Sequence, residues 1–347
     1  MAVPVRLDLS SRLEAYVATR LPRAEAVTVT KLDRIFGGGS RETYRFVLDY
    51  RESGRDVSRP LILRRDPPAS LIETERRIEF AAYKAFHRTC VPVPEPLWLE
   101  EDPRHLDHPF FIMEEITGCE TSPLKLMGPP WDARLGEIGR QKWTILGEIA
   151  KADPQALGLI GVMASVAPDE AWRRELSLWL RDLDADEIEP QPITRAAIRW
   201  LRANPPPPAQ RISVVHADYR TGNFLVDETG RIRGILDWEL AHLGDPLEDL
   251  AWGINRVWCW NRDERAGGLL PKQDAIRLWE AASGLRADPA ALRWWELFSC
   301  VKGQAIWLSA AREYHDGTNH DSILALAAWM QCNSQDRATL ELLGHLP

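Results

Sequence analysis

Three short apolar runs near the middle of the chain end in polar residues, and no other feature restricts the fold as strongly. The runs cover residues 212–215, 224–226 and 233–236, and each is typical of a buried strand. Turn residues separate the second run from the third, which predicts a β-hairpin. Because a hairpin brings its two ends together, Asn223 and Asp237 are expected to lie close in space.

One amide and one carboxylate at short range form an oxygen-only site of the kind that Mg²⁺ occupies together with phosphate oxygens. Asp218 lies five residues before Asn223, so its carboxylate can face that site without joining it. The order His-x-Asp-x-x-x-x-Asn, followed by Asp237, is typical of the catalytic and metal loops of phosphoryl-transfer enzymes. We therefore predict Asp218, Asn223 and Asp237 as catalytic residues, with Asn223 and Asp237 as metal ligands. His216 is interpreted as structural.

These motifs resemble the aminoglycoside phosphotransferase and choline kinase-like family, small-molecule kinases with a protein-kinase-like fold. The resemblance rests on HADYRTGNFLVD at residues 216–227 and ILDWELAHLGDPLEDLAW at residues 235–252, and it extends over residues 32–251. It is strongest to the phosphotransferase group whose members also occur fused to acyl-CoA dehydrogenases.

The resemblance implies an α+β, two-lobed fold. A small N-lobe, residues 1–116, would contribute an antiparallel sheet and a helix that bind the nucleotide. A larger, mostly helical C-lobe, residues 117–347, would carry the catalytic loop, the metal loop and the acceptor-binding helices. In this family the motif around Asp245 and Asp249 supports the catalytic loop, so both acids are expected to be structural.

A glycine-rich turn near the N-terminus is a candidate phosphate-binding loop. Gly38, Gly39 and Ser40 lie between two predicted strands, and glycines allow a backbone to approach phosphate oxygens closely. A plain hairpin turn is the alternative, because no Gly-Lys-Ser/Thr sequence follows.

The strand at residues 60–65 has arginine where the family has a phosphate-binding lysine. Alternation places Arg64 and Arg65 on opposite faces, and alignment with the family favours Arg64. An arginine fork also binds phosphate. By the same resemblance, Glu79 is the helix acid that pairs with this cation, with Glu75 as the alternative.

Residues 114–118 resemble the hinge between the two lobes. Backbone groups near Glu114 and Ile116 would bind an adenine there, with Met113 and Ile62 against the face of its ring.

Four residues are candidates for the acceptor site, and each has a simpler interpretation. Arg220 contacts the transferred phosphate or is merely solvated. Glu239 is an additional metal ligand, an acceptor contact, or an acid in the first turn of a helix. Asn255 and Trp258 line an acceptor pocket or belong to the core.

Composition excludes several classes of protein. The net charge of −8 and the absence of a basic tail disfavour a nucleic-acid partner. No apolar run is long enough for a membrane span. Five scattered cysteines without a paired motif indicate reduced thiols and a cytoplasmic location. The fifteen tryptophans, most of them after residue 131, predict a bulky aromatic core, a flat-walled pocket, or both.

The predicted function is O-phosphorylation of a small-molecule hydroxyl with ATP and Mg²⁺. The acceptor stays open between an aminoglycoside or amino-alcohol and a hydroxyacyl-CoA. The alternative is a catalytically silent nucleotide-binding module that acts through partner contacts, which the arginine at position 64 favours. Protein phosphorylation is disfavoured, because no activation segment ending in Ala-Pro-Glu follows Asp237.

Apolar periodicity also predicts the main elements. Strands are expected at 27–32, 60–65, 97–100 and 110–113, and helices at 9–21, 70–88, 132–152, 169–183, 192–203, 272–283, 288–312 and 320–343.

Overall fold

The N-terminal part of the protein is built on a five-stranded antiparallel sheet. The structure, a computed structural model, describes residues 8–35, 42–66, 76–260, 265–318 and 322–346. The N-terminal elements are α1 (Leu9–Arg20), β1 (Glu25–Ile35), β2 (Glu42–Glu52), β3 (Arg55–Arg65), α2 (Arg76–Phe86), β4 (Pro96–Glu100) and β5 (Phe110–Glu114). The strand order is β1-β2-β3-β5-β4.

Buried side chains lie on both faces of the sheet at the C-terminal end of β3, and this strand shows how alternation divides them. Leu61 and Leu63 pack in one core with Leu13 and Tyr16 of α1. Ile62 points the other way, into the core that contains α2 and the C-terminal part. Successive side chains of a strand face opposite sides, so Arg64 follows Ile62 toward α2.

The rest of the chain is mostly helical. Its elements are β6 (Cys119–Glu120), α3 (Pro123–Leu126), α4 (Leu135–Lys151), α5 (Ala171–Asp186), α6 (Pro192–Ala203), β7 (Ser213–Val215), β8 (Phe224–Asp227), β9 (Ile232–Ile235), β10 (His242–Gly244), α7 (Leu247–Ile254), β11 (Arg265–Ala266), β12 (Leu270–Pro271), α8 (Lys272–Ser283), α9 (Pro289–Asp316) and α10 (Ser322–Leu343). This α+β arrangement, a small sheet followed by a larger helical part, confirms the predicted fold class.

The predicted hairpin is present. Strands β8 and β9 are antiparallel, with Phe224 opposite Ile235 and Leu225 opposite Gly234. The strand β6 adds to the other edge of β8, and β7 pairs with β10 in a separate two-stranded sheet. The polar loops that follow β7 and β9 are therefore held by short, paired strands.

The tryptophans form the predicted aromatic core. Trp143, Trp238, Trp279, Trp294 and Trp295 are almost completely buried. The rings of Trp294 and Trp295 meet edge to face, at 4.9 Å between centroids, a favourable arrangement for aromatic pairs.

Some predictions fall outside the described residues or differ at element ends. The helix predicted at 70–88 is described only as α2, so Glu75 lies outside the described residues. The elements β6, α3, β10, β11 and β12 were not predicted, because runs this short carry no periodicity. A division into lobes at residue 116 stays a prediction.

Gly147 of α4 lies where this helix meets α8, and it offers a test of that packing. A Cβ at position 147 would lie 2.5 Å from Cβ of Ala282 and 2.9 Å from the carbonyl oxygen of Trp279. We expect Gly147→Ala to lower the free energy of unfolding by about 1–3 kcal/mol in urea titrations, because overpacking forces the helices apart. Gly136→Ala in the same helix is the control, since its added Cβ meets only Arg140, at 3.8 Å. Equal effects of the two changes would contradict the packing described.

Candidate active site

A cleft lies between the sheet and the helical part, and it brings most of the predicted site residues together. Its cavity has a volume of about 850 Å³. The predicted residues that line it are Arg64, Glu114, Ile116, Asp218, Arg220, Asn223, Asp237 and Glu239. Gly38, Gly39 and Ser40 lie outside the described residues.

The carboxylate of Asp218 is held by three neighbouring side chains. Its Oδ2 accepts a hydrogen bond of 2.6 Å from the amide nitrogen of Asn223. Its Oδ1 accepts one of 2.8 Å from the indole nitrogen of Trp252. The Nε of Arg220 lies 3.2 Å and 3.3 Å from the two oxygens. The geometry fixes the carboxylate plane within the cleft.

Asp249 holds the backbone of the predicted catalytic loop, residues 216–223, through hydrogen bonds. The carboxylate of Asp249 accepts hydrogen bonds from the backbone N–H groups of His216, at 2.6 Å, and Ala217, at 2.8 Å. Ala217 has a left-handed backbone with φ of 67°, which is unfavourable for a residue with a side chain. On the other side of the loop, Lys302 donates a 2.6 Å hydrogen bond to the carbonyl oxygen of Ala217. Asp249 is thus structural, as the resemblance implied.

Asp245 is structural as well. One of its oxygens accepts from the backbone N–H of Leu247 at 3.0 Å, and the other accepts from the indole of Trp295 at 3.1 Å. It therefore stabilises the start of α7.

A buried ionic network lies under the same loop. The carboxylate of Glu248 is 3.0 Å from the Nζ of Lys302 and 3.1 Å from the Nε2 of His242, and Glu175 lies 3.5 Å from His242. Burial opposes protonation of His242, but the two carboxylates outweigh it and raise the pKa of the imidazole to about 9. The imidazole of His242 is therefore cationic at neutral pH, where it forms an ion pair with Glu248.

His216 has the structural role expected of it. It is completely buried, and its Nε2 donates to the carbonyl oxygen of Leu236 at 2.8 Å. The backbone N–H of Asp218 donates to its Nδ1 at 3.2 Å. Burial lowers the pKa of His216, so the neutral ring ties the catalytic loop to the metal loop, residues 236–239.

Arg64, and not Arg65, faces the cleft. Its two terminal nitrogens contact Oε1 of Glu79 at 2.7 Å and Oδ1 of Asp237 at 2.9 Å. Glu239 lies 3.7 Å away. Arg65 is directed to Glu42 on the other face. Glu79 is fully buried and does not line the cavity. It contacts Arg64, as the resemblance implied.

The metal loop is attached to both the hairpin and α2. The backbone N–H of Leu236 donates to the carbonyl oxygen of Asn223 at 2.8 Å, which confirms that Asn223 and Asp237 lie close together. The N–H of Asp237 donates to the Oη of Tyr83 at 2.9 Å. Burial raises the pKa of Asp237, but Arg64 outweighs this effect and the net pKa is lowered. Asp237 is therefore a carboxylate at neutral pH.

Two of the acceptor-site predictions need correction. Asn255 is buried, caps the next turn through the N–H of Val257 at 3.1 Å, and faces Gln335 of α10 at 3.4 Å. Trp258 is also buried, beneath the guanidinium of Arg220, at 4.9 Å from its ring centroid. Neither residue lines the cleft. Sequence could not show this, because spacing along a helix does not distinguish a pocket from a core.

The cleft also contains residues that sequence reasoning missed. Ile306, Trp307 and Ala310 of α9 line it beside the catalytic and metal loops. Tyr83 lies one helical turn after Glu79, a spacing that could have identified it. The contacts of Lys302 and Trp307 depend on tertiary structure and leave no local signal.

Comparisons with known proteins show which family model and which relatives the chain matches. The sequence model of the family described as "Phosphotransferase enzyme family" matches residues 32–295. Acyl-CoA dehydrogenase family member 10 of Mus musculus is 32% identical over 203 residues, which are 57% of this chain and 18% of that protein. Acyl-CoA dehydrogenase family member 11 of Homo sapiens is 27% identical over 247 residues, which are 70% of this chain and 30% of that protein. The chain thus spans less than a third of the length of these two relatives.

Solved structures show the same fold. A provisionally assigned aminoglycoside phosphotransferase from Ralstonia eutropha has a TM-score of 0.73 and 24% identity, with 98% of this chain and 99% of that chain covered. A thermostable mutant of aminoglycoside phosphotransferase APH(4)-Ia, in a ternary complex with ADP and hygromycin B, has a TM-score of 0.59 and 19% identity, with 94% and 98% covered. Among the helices of the described residues, none combines the length and the apolar character needed to cross a membrane.

His242 allows a test of the buried network through pH. The pKa of His242 is raised from 6.5 to about 9, so its ion pairs stabilise the fold fully below pH 6.5 and lose that effect as the pH rises through 9. We expect His242→Gln to lower the free energy of unfolding most at pH 6, and clearly less at pH 9, in urea titrations. His87→Gln, at an exposed position, is the control and should stay within about 0.5 kcal/mol of wild type. A loss of equal size at pH 6 and pH 9 would contradict the network.

Proposed function

This chain belongs to the phosphotransferase enzyme family, and we propose that it transfers the γ-phosphoryl group of ATP to the hydroxyl group of a small molecule with the help of Mg²⁺. One observation carries the proposal. Asp218, Asn223 and Asp237 line a single cleft, opposite an arginine that β3 presents to them. These are the acceptor-activating, metal-binding and phosphate-binding groups that phosphoryl transfer requires.

The nucleotide would lie at the sheet end of the cleft. Ile62 and Met113 provide apolar surface for the adenine. The backbone N–H of Glu114 donates a hydrogen bond to the carbonyl oxygen of Glu95 at 2.9 Å, so this N–H is already used. We therefore propose that the carbonyl oxygen of Glu114 and the backbone of Ile116 bind the adenine edge. Gly38, Gly39 and Ser40 stay predicted phosphate contacts. In this proposal residues 1–116 form the N-lobe and residues 117–347 the C-lobe.

The oxygens beside the hairpin fit a magnesium ion. The amide nitrogen of Asn223 is directed to Asp218, which leaves its carbonyl oxygen as the ligand atom. The side chain of Asp237 is 31% exposed and reaches the cleft. A carboxylate and an amide oxygen suit this hard cation, which would neutralise charge on the β and γ phosphates when bound.

The remaining groups would carry out the transfer. The carboxylate of Asp218 accepts a hydrogen bond from the acceptor hydroxyl and takes its proton late in the reaction. The acceptor oxygen forms a bond to the γ phosphorus while the bond to the β–γ bridging oxygen breaks, and ADP leaves with those electrons. Arg64, held by Glu79, stabilises the phosphate charge through its fixed fork.

Two acceptor classes remain in the proposal. The neighbour with hygromycin B bound supports an aminoglycoside or amino-alcohol, and the relatives named acyl-CoA dehydrogenase family members support a hydroxyacyl-CoA. The acceptor end has both polar contacts, Arg220 and Glu239, and apolar ones from α9. Incubation with MgATP and each class, followed by detection of the phosphorylated product, distinguishes them. Nucleotide binding without turnover of either class would instead favour the silent module.

The metal assignment predicts the effect of Asp237→Asn. Loss of one carboxylate should lower the affinity for MgATP at least tenfold, about 1.4 kcal/mol, in calorimetric titrations, while the melting temperature stays close to that of wild type. Without Mg²⁺ the two proteins should bind ATP alike. Glu228→Gln is the matched control, because it removes a charge from the exposed tip of the same hairpin. Unchanged turnover in Asp237→Asn would refute the assignment.

The strand register predicts different effects for two neighbouring arginines. Arg64→Ala should raise the KM for ATP about tenfold or more, because Arg64 contacts Asp237 in the cleft. Arg65→Ala should leave that KM within about twofold, since Arg65 is bound to Glu42 on the other face. Steady-state kinetics with varied MgATP measure both. The opposite result would place the wrong arginine in the site.

A further inference from the structure

We infer that Trp252 is a positioning residue for the proposed phosphoryl transfer, and that its indole N–H orients the carboxylate of Asp218 toward the acceptor. The inference rests on the proposed function. Trp252 lies in the last turn of α7, is 2% exposed, and donates a 2.8 Å hydrogen bond to Oδ1 of Asp218.

The two oxygens of Asp218 have different short partners. Trp252 donates to Oδ1, and Asn223 donates to Oδ2 at 2.6 Å. A donor on each oxygen fixes the rotation of the carboxylate, so both side-chain torsions of Asp218 are set before an acceptor arrives. An indole N–H donates only and does not titrate, so it holds the carboxylate without competing for the transferred proton.

Arg220 contacts Asp218 at longer distances than Trp252 and Asn223 do, and its side chain lines the cavity. Its Nε is 3.2 Å and 3.3 Å from the two oxygens, and its side chain is 27% exposed. Each carboxylate oxygen accepts about two hydrogen bonds. An acceptor hydroxyl would therefore donate to Asp218 at the place that the Nε of Arg220 now occupies. The hydrogen bonds from Trp252 and Asn223 would remain.

The indole nitrogen of Trp252 has a hydrogen-bond partner, as have those of Trp238, Trp294 and Trp295, whereas several other buried indole nitrogens among the described residues have none. The Nε1 atoms of Trp143, Trp179, Trp258 and Trp279 are buried without a hydrogen-bond partner. The aromatic core therefore does not require its indole nitrogens to be paired, and the bond from Trp252 to Asp218 is not explained by filling space.

The helix α7 connects this bond to the rest of the catalytic loop. Asp249, three residues before Trp252, holds the loop backbone at His216 and Ala217. The ring of Trp252 is itself fixed by Trp258, at 5.3 Å between centroids, and by the Nζ of Lys302, at 5.0 Å. One short helix thus positions both the backbone of the loop and the side chain of Asp218.

The experiment compares Trp252→Phe with Trp279→Phe, using Mg²⁺-dependent ATP hydrolysis with water as acceptor. Trp279 is fully buried and its indole nitrogen has no partner, so its replacement costs packing but no hydrogen bond. We expect Trp252→Phe to lower kcat about tenfold to a hundredfold, the effect of losing a hydrogen bond to a charged group, while the KM for MgATP stays within about twofold. Trp279→Phe should keep kcat within about twofold of wild type.

A double-mutant cycle separates positioning from general damage. In the Asp218→Ala background, Trp252→Phe should cause no further loss of kcat, because the carboxylate through which it acts is gone. A further loss of the same size in that background, or an unchanged kcat in Trp252→Phe alone, would overturn the inference.

A second variant covers the case in which Trp252→Phe does not fold. Benzothienylalanine at position 252 keeps the shape of the indole and replaces its N–H by sulfur, and it should give the same loss of kcat; wild-type kcat would overturn the inference. If wild type and Trp279→Phe both lack hydrolysis and transfer to either acceptor class, the proposed function fails, and this inference fails with it.

Discussion

The carboxylate of Asp249 is the contact on which the catalytic loop depends. It satisfies two successive backbone N–H groups and so stabilises a left-handed residue, Ala217, that would otherwise be strained. Burial raises the pKa of Asp249 to about 7, although both N–H donors and Lys302 favour its charged form. The loop geometry is thus maintained at the cost of burying a carboxylate. In the neighbouring network, Glu248 is paired with Lys302 and His242.

A second set of contacts joins the sheet side of the cleft to the metal loop. The Oη of Tyr83 accepts a hydrogen bond from the backbone N–H of Asp237, and the ring of Phe86 stacks on Trp238 at 4.8 Å between centroids. Both residues belong to α2, the helix that also carries Glu79. The helix α2 therefore contacts both Arg64 and Asp237, so it connects the proposed nucleotide and metal sites.

Much of this site was predictable because it depends on local rules. The alternation of β3 placed Arg64 and Arg65 on opposite faces, and the resemblance to the family favoured Arg64. The turn between β8 and β9 brought Asn223 next to Asp237. What sequence could not provide were contacts between distant segments. Lys302 is 85 residues from Ala217, and Trp252 is 34 residues from Asp218. Asn255 was misplaced for the same reason, since its burial depends on α10, which lies far away in the sequence.

Arg64 links the two sides of the cleft through charge. Its guanidinium contacts Glu79 on one side of the cleft and Asp237 on the other. Any widening of the cleft lengthens the second contact and exposes both charges to water, where screening by salt weakens their attraction. The strength of this contact across the cleft is therefore coupled to ionic strength. A bound triphosphate and its cation would interact with the same two side chains, so nucleotide binding would compete with this electrostatic contact.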